Sequence, residues 1–493
     1  MNAHPLLIGA ADGRPVAITP RMANRHGLIA GATGTGKTIT LQTLAQSFSD
    51  LGVPVFVPDI KGDFSGIAAP GELSDRVRER AAQVGLDELE MHGAPTVFWD
   101  VFGEHGHPLR LTVADLGPTL LSRLMNLNET QSGLMQLVFR VADDKGWLLL
   151  DLKDLRAMVG WVGEQRQALS RDYGNIAPAS IGAIQRALLN LESQGADGFF
   201  GEPAVTLEDF LQTDEQGRGV VNILHAERLY RSSPLVYSTL LLWLLSELFE
   251  QLPEVGDADK PRFVMFFDEA HLLFKDAPRS LTDRIEQVVR LIRSKGVGVY
   301  FVTQSPLDLP EPVLGQLGNR IQHALRAFTP RDQRAVRTAA QTFRANPKLN
   351  TEQVIMELST GSALVSVLDE QGQPTPVERT LIRPPASRMG PLSDAERRSL
   401  IQQSPLAGAY DTPVDRESAY QILEQQAKAA LSDATVEAST QRAAQTRRQG
   451  RAPARRGDSL VTATAKSTAR AIGTQLGRQI VRGLLGSLTG RRR

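Results

Sequence analysis

The stretch that most narrows what this chain can fold into is Gly31-Ala32-Thr33-Gly34-Thr35-Gly36-Lys37-Thr38, where three glycines fall within eight residues. Glycine accepts backbone conformations that a Cβ forbids, so such a run can curl into a tight loop. Leu28–Gly31 is an apolar run of strand length, and Thr38–Leu51 has the period of a helix that stops at Gly52. The order is therefore strand, loop, helix. The spacing fits G-x-x-x-x-G-K-[ST] at every defined position, and the chemistry accounts for it. The loop points successive backbone N–H groups at phosphate oxygens, and the helix N-terminus adds its positive dipole end. Lys37 reaches the β- and γ-phosphates, and the Thr38 hydroxyl is a ligand for Mg²⁺. Gly31 to Thr38 are predicted to hold ATP with Mg²⁺.

Periodicity sorts the rest of the chain into zones. Val53–Pro58, Val97–Trp99 and Leu109–Val113 read as further strands, so residues 1–114 form the first part of an α/β core with a parallel-type sheet. In residues 115–252 the helical period dominates, in Leu116–Asn126, Gln131–Asp143, Leu152–Leu169, Ala179–Leu191 and Leu235–Leu252, with one strand candidate at Gly219–Leu224. This zone is expected to be a mostly helical insertion. The α/β pattern returns in residues 253–384, with strands at Phe263–Phe267, Val297–Thr303, Gln322–Ala327 and Ser362–Val367 and a helix at Leu281–Lys295. Residues 385–437 read as a helical extension, with helices at Asp394–Gln403 and Glu417–Leu431. Beyond it Ala, Thr, Gln and Arg dominate to about Ala469, too few large apolar residues to bury a core, which predicts a linker or disorder. Ile472, Leu476, Ile480, Leu484 and Leu488 then recur at helical spacing.

Charge separates this tail from the body. Ala438–Arg493 holds 13 basic residues against Asp458 alone, whereas the other 437 residues hold 42 basic and 54 acidic ones. A basic tail on an acidic body is suited to a polyanion, to the body itself or to a protein partner. There is no cysteine, which excludes disulfides and thiolate zinc sites. The N-terminus lacks a basic stretch followed by a long apolar one, and Leu235–Phe249 is short for a membrane span, so a cytoplasmic protein is expected.

Other residues complete a hydrolysis site. Phe263–Phe267 is an apolar strand ending in Asp268-Glu269. Asp268 would hold Mg²⁺ and Glu269 would polarise the attacking water as general base; the alternative is a solvated pair where a strand leaves the core. Gln304, after the apolar strand Val299–Thr303, is either a loop amide or a group that reads the γ-phosphate. Arg293 either compensates a helix dipole or neutralises charge on the transferring phosphoryl group. Asp59 and Asp63 follow the second strand, at the carboxyl edge where such sheets place ligands. Glu104-His105-Gly106-His107 offers two imidazoles but no third strong metal ligand.

These residues resemble a known family. GATGTGKT at Gly31–Thr38, PDIKGDFS at Pro58–Ser65, FFDEAH at Phe266–His271 and RSKGVGVYFVTQSPLDLP at Arg293–Pro310 are similar to the HerA–FtsK superfamily of hexameric ATPases, and most of all to its bacterial HerA-like, YjgR-type branch. The resemblance runs from about Leu7 to Arg383 and includes Val313–Arg320. It implies a RecA-like core that assembles into homo-oligomeric rings, hexamers, around DNA. It also implies an arginine finger acting across subunits at Arg293, a γ-phosphate sensor at Gln304 and a catalytic glutamate at Glu269. Archaeal HerA-type proteins carry a β-barrel before the phosphate loop, whereas 30 residues precede Gly31 here. Two functional classes follow: a motor on double-stranded DNA, with contacts such as Lys275, Arg279 and Arg284, or a nucleotide-dependent switch that organises protein partners. A solvated basic helix face accounts for those three cations equally well.

Overall fold

A computed structural model describes residues 4–86, 88–256, 258–274 and 279–449. The chain divides into two compact units, Met1–Arg416 and Glu417–Arg493. The first is organised by twelve strands: β1 (Leu6–Ala11), β2 (Arg14–Ile18), β3 (Gly27–Ala30), β4 (Val55–Asp59), β5 (Thr96–Asp100), β6 (His107–Pro108), β7 (Val221–His225), β8 (Phe263–Phe267), β9 (Val297–Thr303), β10 (Asn319–Gln322), β11 (Ser362–Ser366) and β12 (Glu378–Ile382). They make one sheet in the order β2-β1-β12-β11-β10-β3-β9-β8-β4-β7-β5-β6. From β10 to β6 every pairing is parallel. β11, β12, β1 and β2 extend it antiparallel, so the sheet is mixed.

The centre is built from strands without polar alternation because parallel strands are covered on both faces. Phe263, Val264, Met265, Phe266 and Phe267 are all buried. Helix α1 (Lys37–Asp50) lies on one face and sets Leu41, Leu44, Ala45 and Phe48 into the core. Phe48 meets Tyr300 edge-on, ring centroids 5.7 Å apart, and tilts against Phe266. This packing holds α1 against β8 and β9. β4, next in sequence after β3, lies beyond β9 and β8, so the crevice at the carboxyl ends of β3, β9 and β8 is where connections diverge.

The observed elements depart from the sequence expectation in several places. Asp12 and Gly13, at φ 48° and 74°, turn β1 into β2, a hairpin the apolar count alone did not predict. Leu109–Val113 is not a strand: Leu111 makes an isolated bridge to Phe200, and a helix starts at Val113 because Thr112 and Asp115 form a reciprocal cap. The strand expected at Gly219–Leu224 is Val221–His225, inserted between β4 and β5, so the helical zone threads back through the sheet. Leu152–Leu169 is broken at Gln165 into Leu152–Glu164 and Arg166–Tyr173. In the second unit one helix runs from Ala419 to Gln449, through residues read as linker. Alanine, glutamine and lysine have high intrinsic helix propensity, and that carries the helix where apolar periodicity is absent. Ile472 to Leu488 and Lys275 lie outside the described residues.

Candidate active site

The glycine loop joins β3 to α1, and its backbone needs the residues it has. Gly31, Gly34 and Gly36 sit at φ 155°, 76° and 111°. A Cβ on Gly31 would stand 2.5 Å from the Cβ of His323, too close for any side chain. The loop is moored on both sides: the Gly31 amide donates to Thr303 (3.2 Å), the Ala32 amide to Ala324 (2.8 Å), and the Gly361 amide to Thr35 (3.2 Å). The Thr35 hydroxyl donates to the Ala32 carbonyl at 2.7 Å. No side chain caps the first turn of α1, and it carries no acidic residue, so its amides and dipole are left to an anion. Thr33 is exposed and Thr38 half-buried.

Lys37 is buried, and its ammonium donates to the Gly31 carbonyl at 2.6 Å and the Ala32 carbonyl at 3.0 Å. Burial lowers its pKa, the negative charges of Glu269 and Asp268 raise it, and the charge of Lys61 lowers it further. Beneath the loop, His323 bonds the Thr40 hydroxyl at 2.9 Å; burial and the Lys37 charge hold it neutral, with a pKa of about 4.

β8 delivers Asp268 and Glu269 beside this loop. Both are buried, and Glu269 adopts φ 47°, a left-handed conformation uncommon outside glycine and concentrated at functional sites. Burial pushes Asp268 up to about 7; Lys61 pulls it down, while Glu269 and Asp59 add to the rise. A buried carboxyl that burial and a neighbouring carboxylate raise despite Lys61 is the donor a divalent cation would relieve. Asp268 and the Thr38 hydroxyl, on the first turn of α1, are oxygen donors of the kind Mg²⁺ takes, and the uncapped turn leaves amides of the kind that bind a polyphosphate. Burial also pushes Glu269 up, but Lys61, His271 and Gln304 outweigh it and hold Glu269 below the usual carboxylate range. Gln304, at the end of β9, donates to Glu269 Oε2 at 3.4 Å.

Lys61 is the residue that sequence reading missed. It lies in the loop after β4 and forms an ion pair with Glu269 Oε1. Burial lowers its pKa, but Asp268, Glu269 and Asp63 together raise it above the usual value. Its position between Asp59 and Asp63, both singled out, was the available signal. Asp59 itself turns inward: its two carboxylate oxygens accept from the Gly62 amide (2.7 Å) and the Phe64 amide (3.1 Å) and so shape the loop that presents Lys61.

The remaining candidates stand apart. Arg293 lies in the 3₁₀ turn Ile292–Lys295 before β9, where its charge acts on His26. Gln304 follows the other end of β9, a strand whose seven residues span roughly 20 Å. Arg284 donates to Gln287 and stands 3.7 Å from Glu250. His105 packs against His225, ring centroids 4.4 Å apart, and His107 is buried against Trp99; among the described residues no group of three or more metal-ligating side chains is found.

A glycine cradle with Lys37, set at the carboxyl edge of a parallel sheet beside a carboxylate pair and a polar amide, defines a P-loop ATPase of RecA-like fold. The family described as "Helicase HerA-like C-terminal" matches residues 5–493, and the chain belongs to it. The "Probable helicase MJECL08" of Methanocaldococcus jannaschii is 30% identical over 125 residues, 24% of this chain and 22% of that protein, so the match spans about a fifth of that relative. Among solved structures, the unbound bacterial conjugative coupling protein TrwBΔN70 is similar with TM-score 0.51 and 13% identity over 77% of this chain and 91% of that one. VirB4 of Thermoanaerobacter pseudethanolicus has TM-score 0.51 and 15% identity over 78% and 97%. TrwB in complex with the non-hydrolysable GTP analogue GDPNP has TM-score 0.51 and 14% identity over 79% and 94%. These likenesses are of fold. Among the described residues, no helix is long and apolar enough to cross a membrane.

Proposed function

We propose that this chain hydrolyses ATP with Mg²⁺ and works as a ring-forming, helicase-type motor on double-stranded DNA. The observation that carries the reading is the convergence of Lys37, Asp268, Glu269 and Gln304 on one sheet edge while Arg293 stands at the far end of β9. Lys37 and the loop amides bind the phosphates, Thr38 and Asp268 would hold the metal, Glu269 takes a proton from water, and Gln304 orients Glu269 or that water. A bound Mg²⁺ would neutralise charge developing on the phosphate oxygens. Arg293 is too far to serve its own chain's site, so an arginine finger at this position requires a second copy, which supports a ring. DNA as the track is supported by the family and by the probable helicase among the relatives.

The test is steady-state ATP turnover with and without linear double-stranded DNA at two salt concentrations, with solution mass measured in parallel. DNA stimulation that falls as salt rises, in a particle of several subunits, is expected. Turnover indifferent to DNA, with nucleotide-dependent binding of a protein instead, would favour the assembly switch.

A further inference from the structure

Glu269 has a partner against each of its oxygens as it stands. Lys61 pairs with Oε1, Gln304 donates to Oε2 at 3.4 Å, and His271 Nδ1 stands 3.2 Å from the same oxygen. A carboxylate keeps other lone pairs, but one paired to a full positive charge is a weak proton acceptor, so a general base here works better once that pair is released. The grip that matters most is Lys61, because it brings a full charge. It is also able to leave: its side chain is 40% exposed, against 8% for Glu269, and it hangs on the short loop after β4. Two features keep it close to the phosphate loop. Its charge is felt by Lys37, the group that meets the phosphates, and the loop carrying it is pinned at its base by the two bonds to Asp59.

A terminal phosphate seated beside Lys37 is a stronger anion than one carboxylate, and a lysine ammonium on a flexible stem can pass from one to the other. Resting on the reading of this edge as an ATP site, we propose that Lys61 is a positioning residue that exchanges its Glu269 partner for the γ-phosphate, so that the same movement reads the triphosphate and frees the base. No bond is made or broken in this exchange; one ion pair replaces another. ADP offers no terminal phosphate, and with it Lys61 stays on Glu269.

The experiment is equilibrium binding of a fluorescent non-hydrolysable ATP analogue and of fluorescent ADP, each with Mg²⁺, to the full chain. Wild type should prefer the analogue, and Lys61→Met should lose that preference by about tenfold, the value of one charge-assisted contact, with ADP affinity unchanged. Lys61→Arg should recover part of it. Glu269→Gln removes the competing anion, so its analogue affinity should rise above wild type, and Lys61→Met/Glu269→Gln should lack that gain. Equal changes for both nucleotides in Lys61→Met would reduce Lys61 to a structural role and overturn the exchange. So would the absence of any gain in Glu269→Gln, an arm that holds even if Lys61→Met does not fold. Lys37→Ala separates the two levels. If it binds both nucleotides like wild type, the ATP-site reading itself fails; if it loses both while Lys61→Met keeps the wild-type preference, only the exchange fails.

Discussion

Two stretches of one sheet edge use the same residue type in opposite ways. At the ends of β3, β9 and β8, Asp268 and Glu269 face a glycine loop whose first helical turn has no side-chain cap. At the ends of β4 and β5, Asp59 and Asp100 are buried as well, yet each is spent on its own loop. Asp100 accepts from the amides of Phe102 (3.0 Å), Glu104 (2.9 Å) and His105 (2.9 Å), much as Asp59 accepts from Gly62 and Phe64. A carboxylate closing a parallel strand is thus not by itself a site. What distinguishes the end of β8 is that Glu269 receives side chains from the loops after β4 and β9, Lys61 and Gln304, instead of amides from its own loop.

The comparison breaks most visibly at Lys37 and Arg293. Each of Lys37→Ala and Arg293→Ala should be nearly inactive alone, with Arg293→Ala still binding ATP. Mixed subunits should regain part of the turnover, since some interfaces then join an intact loop to an intact finger. No rescue at any ratio, with subunit exchange confirmed by an independent label, would remove Arg293 from the site.

The other half of the edge should answer in stability. Asp100→Ala leaves three loop amides without their acceptor and should cost about 2–4 kcal/mol in denaturant unfolding, with nucleotide affinity unchanged. A stability within experimental error of wild type would show that these bonds do not organise the loop.

The smallest effect is a pH slope. Burial pushes Asp59 up to about 6 from an ordinary 3.8, with its amide partners opposing and Asp63 adding to the rise. The folded state therefore holds this proton to a higher pH than the unfolded chain, and Asp59 adds stability as pH falls from above 6 towards 4. His26 and His323, both lowered to about 4 by burial, act in the opposite direction below 6.5. The difference between wild type and Asp59→Asn isolates the aspartate: it should shift in favour of wild type by about 1–2 kcal/mol between pH 7 and pH 5. A difference independent of pH would contradict the burial of an ionisable group there.

Much of this was legible because the decisive chemistry is local in sequence. Gly31–Thr38 carries its own backbone requirement, and Phe263–Glu269 and Val299–Gln304 show a buried strand and its polar end in one short run. The parallel centre of the sheet followed from those runs. Lys61 was not legible as a site residue, because its partner lies 208 positions away and nothing local distinguishes a paired lysine from a solvated one. Asp59 and Asp100 look like Asp268 in sequence; only the return of the following amides shows that they are occupied. The antiparallel extension was half visible: Ser362–Val367 showed as a strand, but β12 and the Asp12-Gly13 hairpin passed unread. The helix to Gln449 escaped because its residues favour helix by propensity while lacking apolar periodicity in the sequence.

The account rests on Glu269 being the base at the one edge left open for chemistry. The direct measurement is ATP turnover of Glu269→Gln beside its nucleotide affinity. Binding should be kept or tightened while turnover falls at least about a hundredfold, the range for loss of a general base. Near-normal hydrolysis by Glu269→Gln would contradict the account.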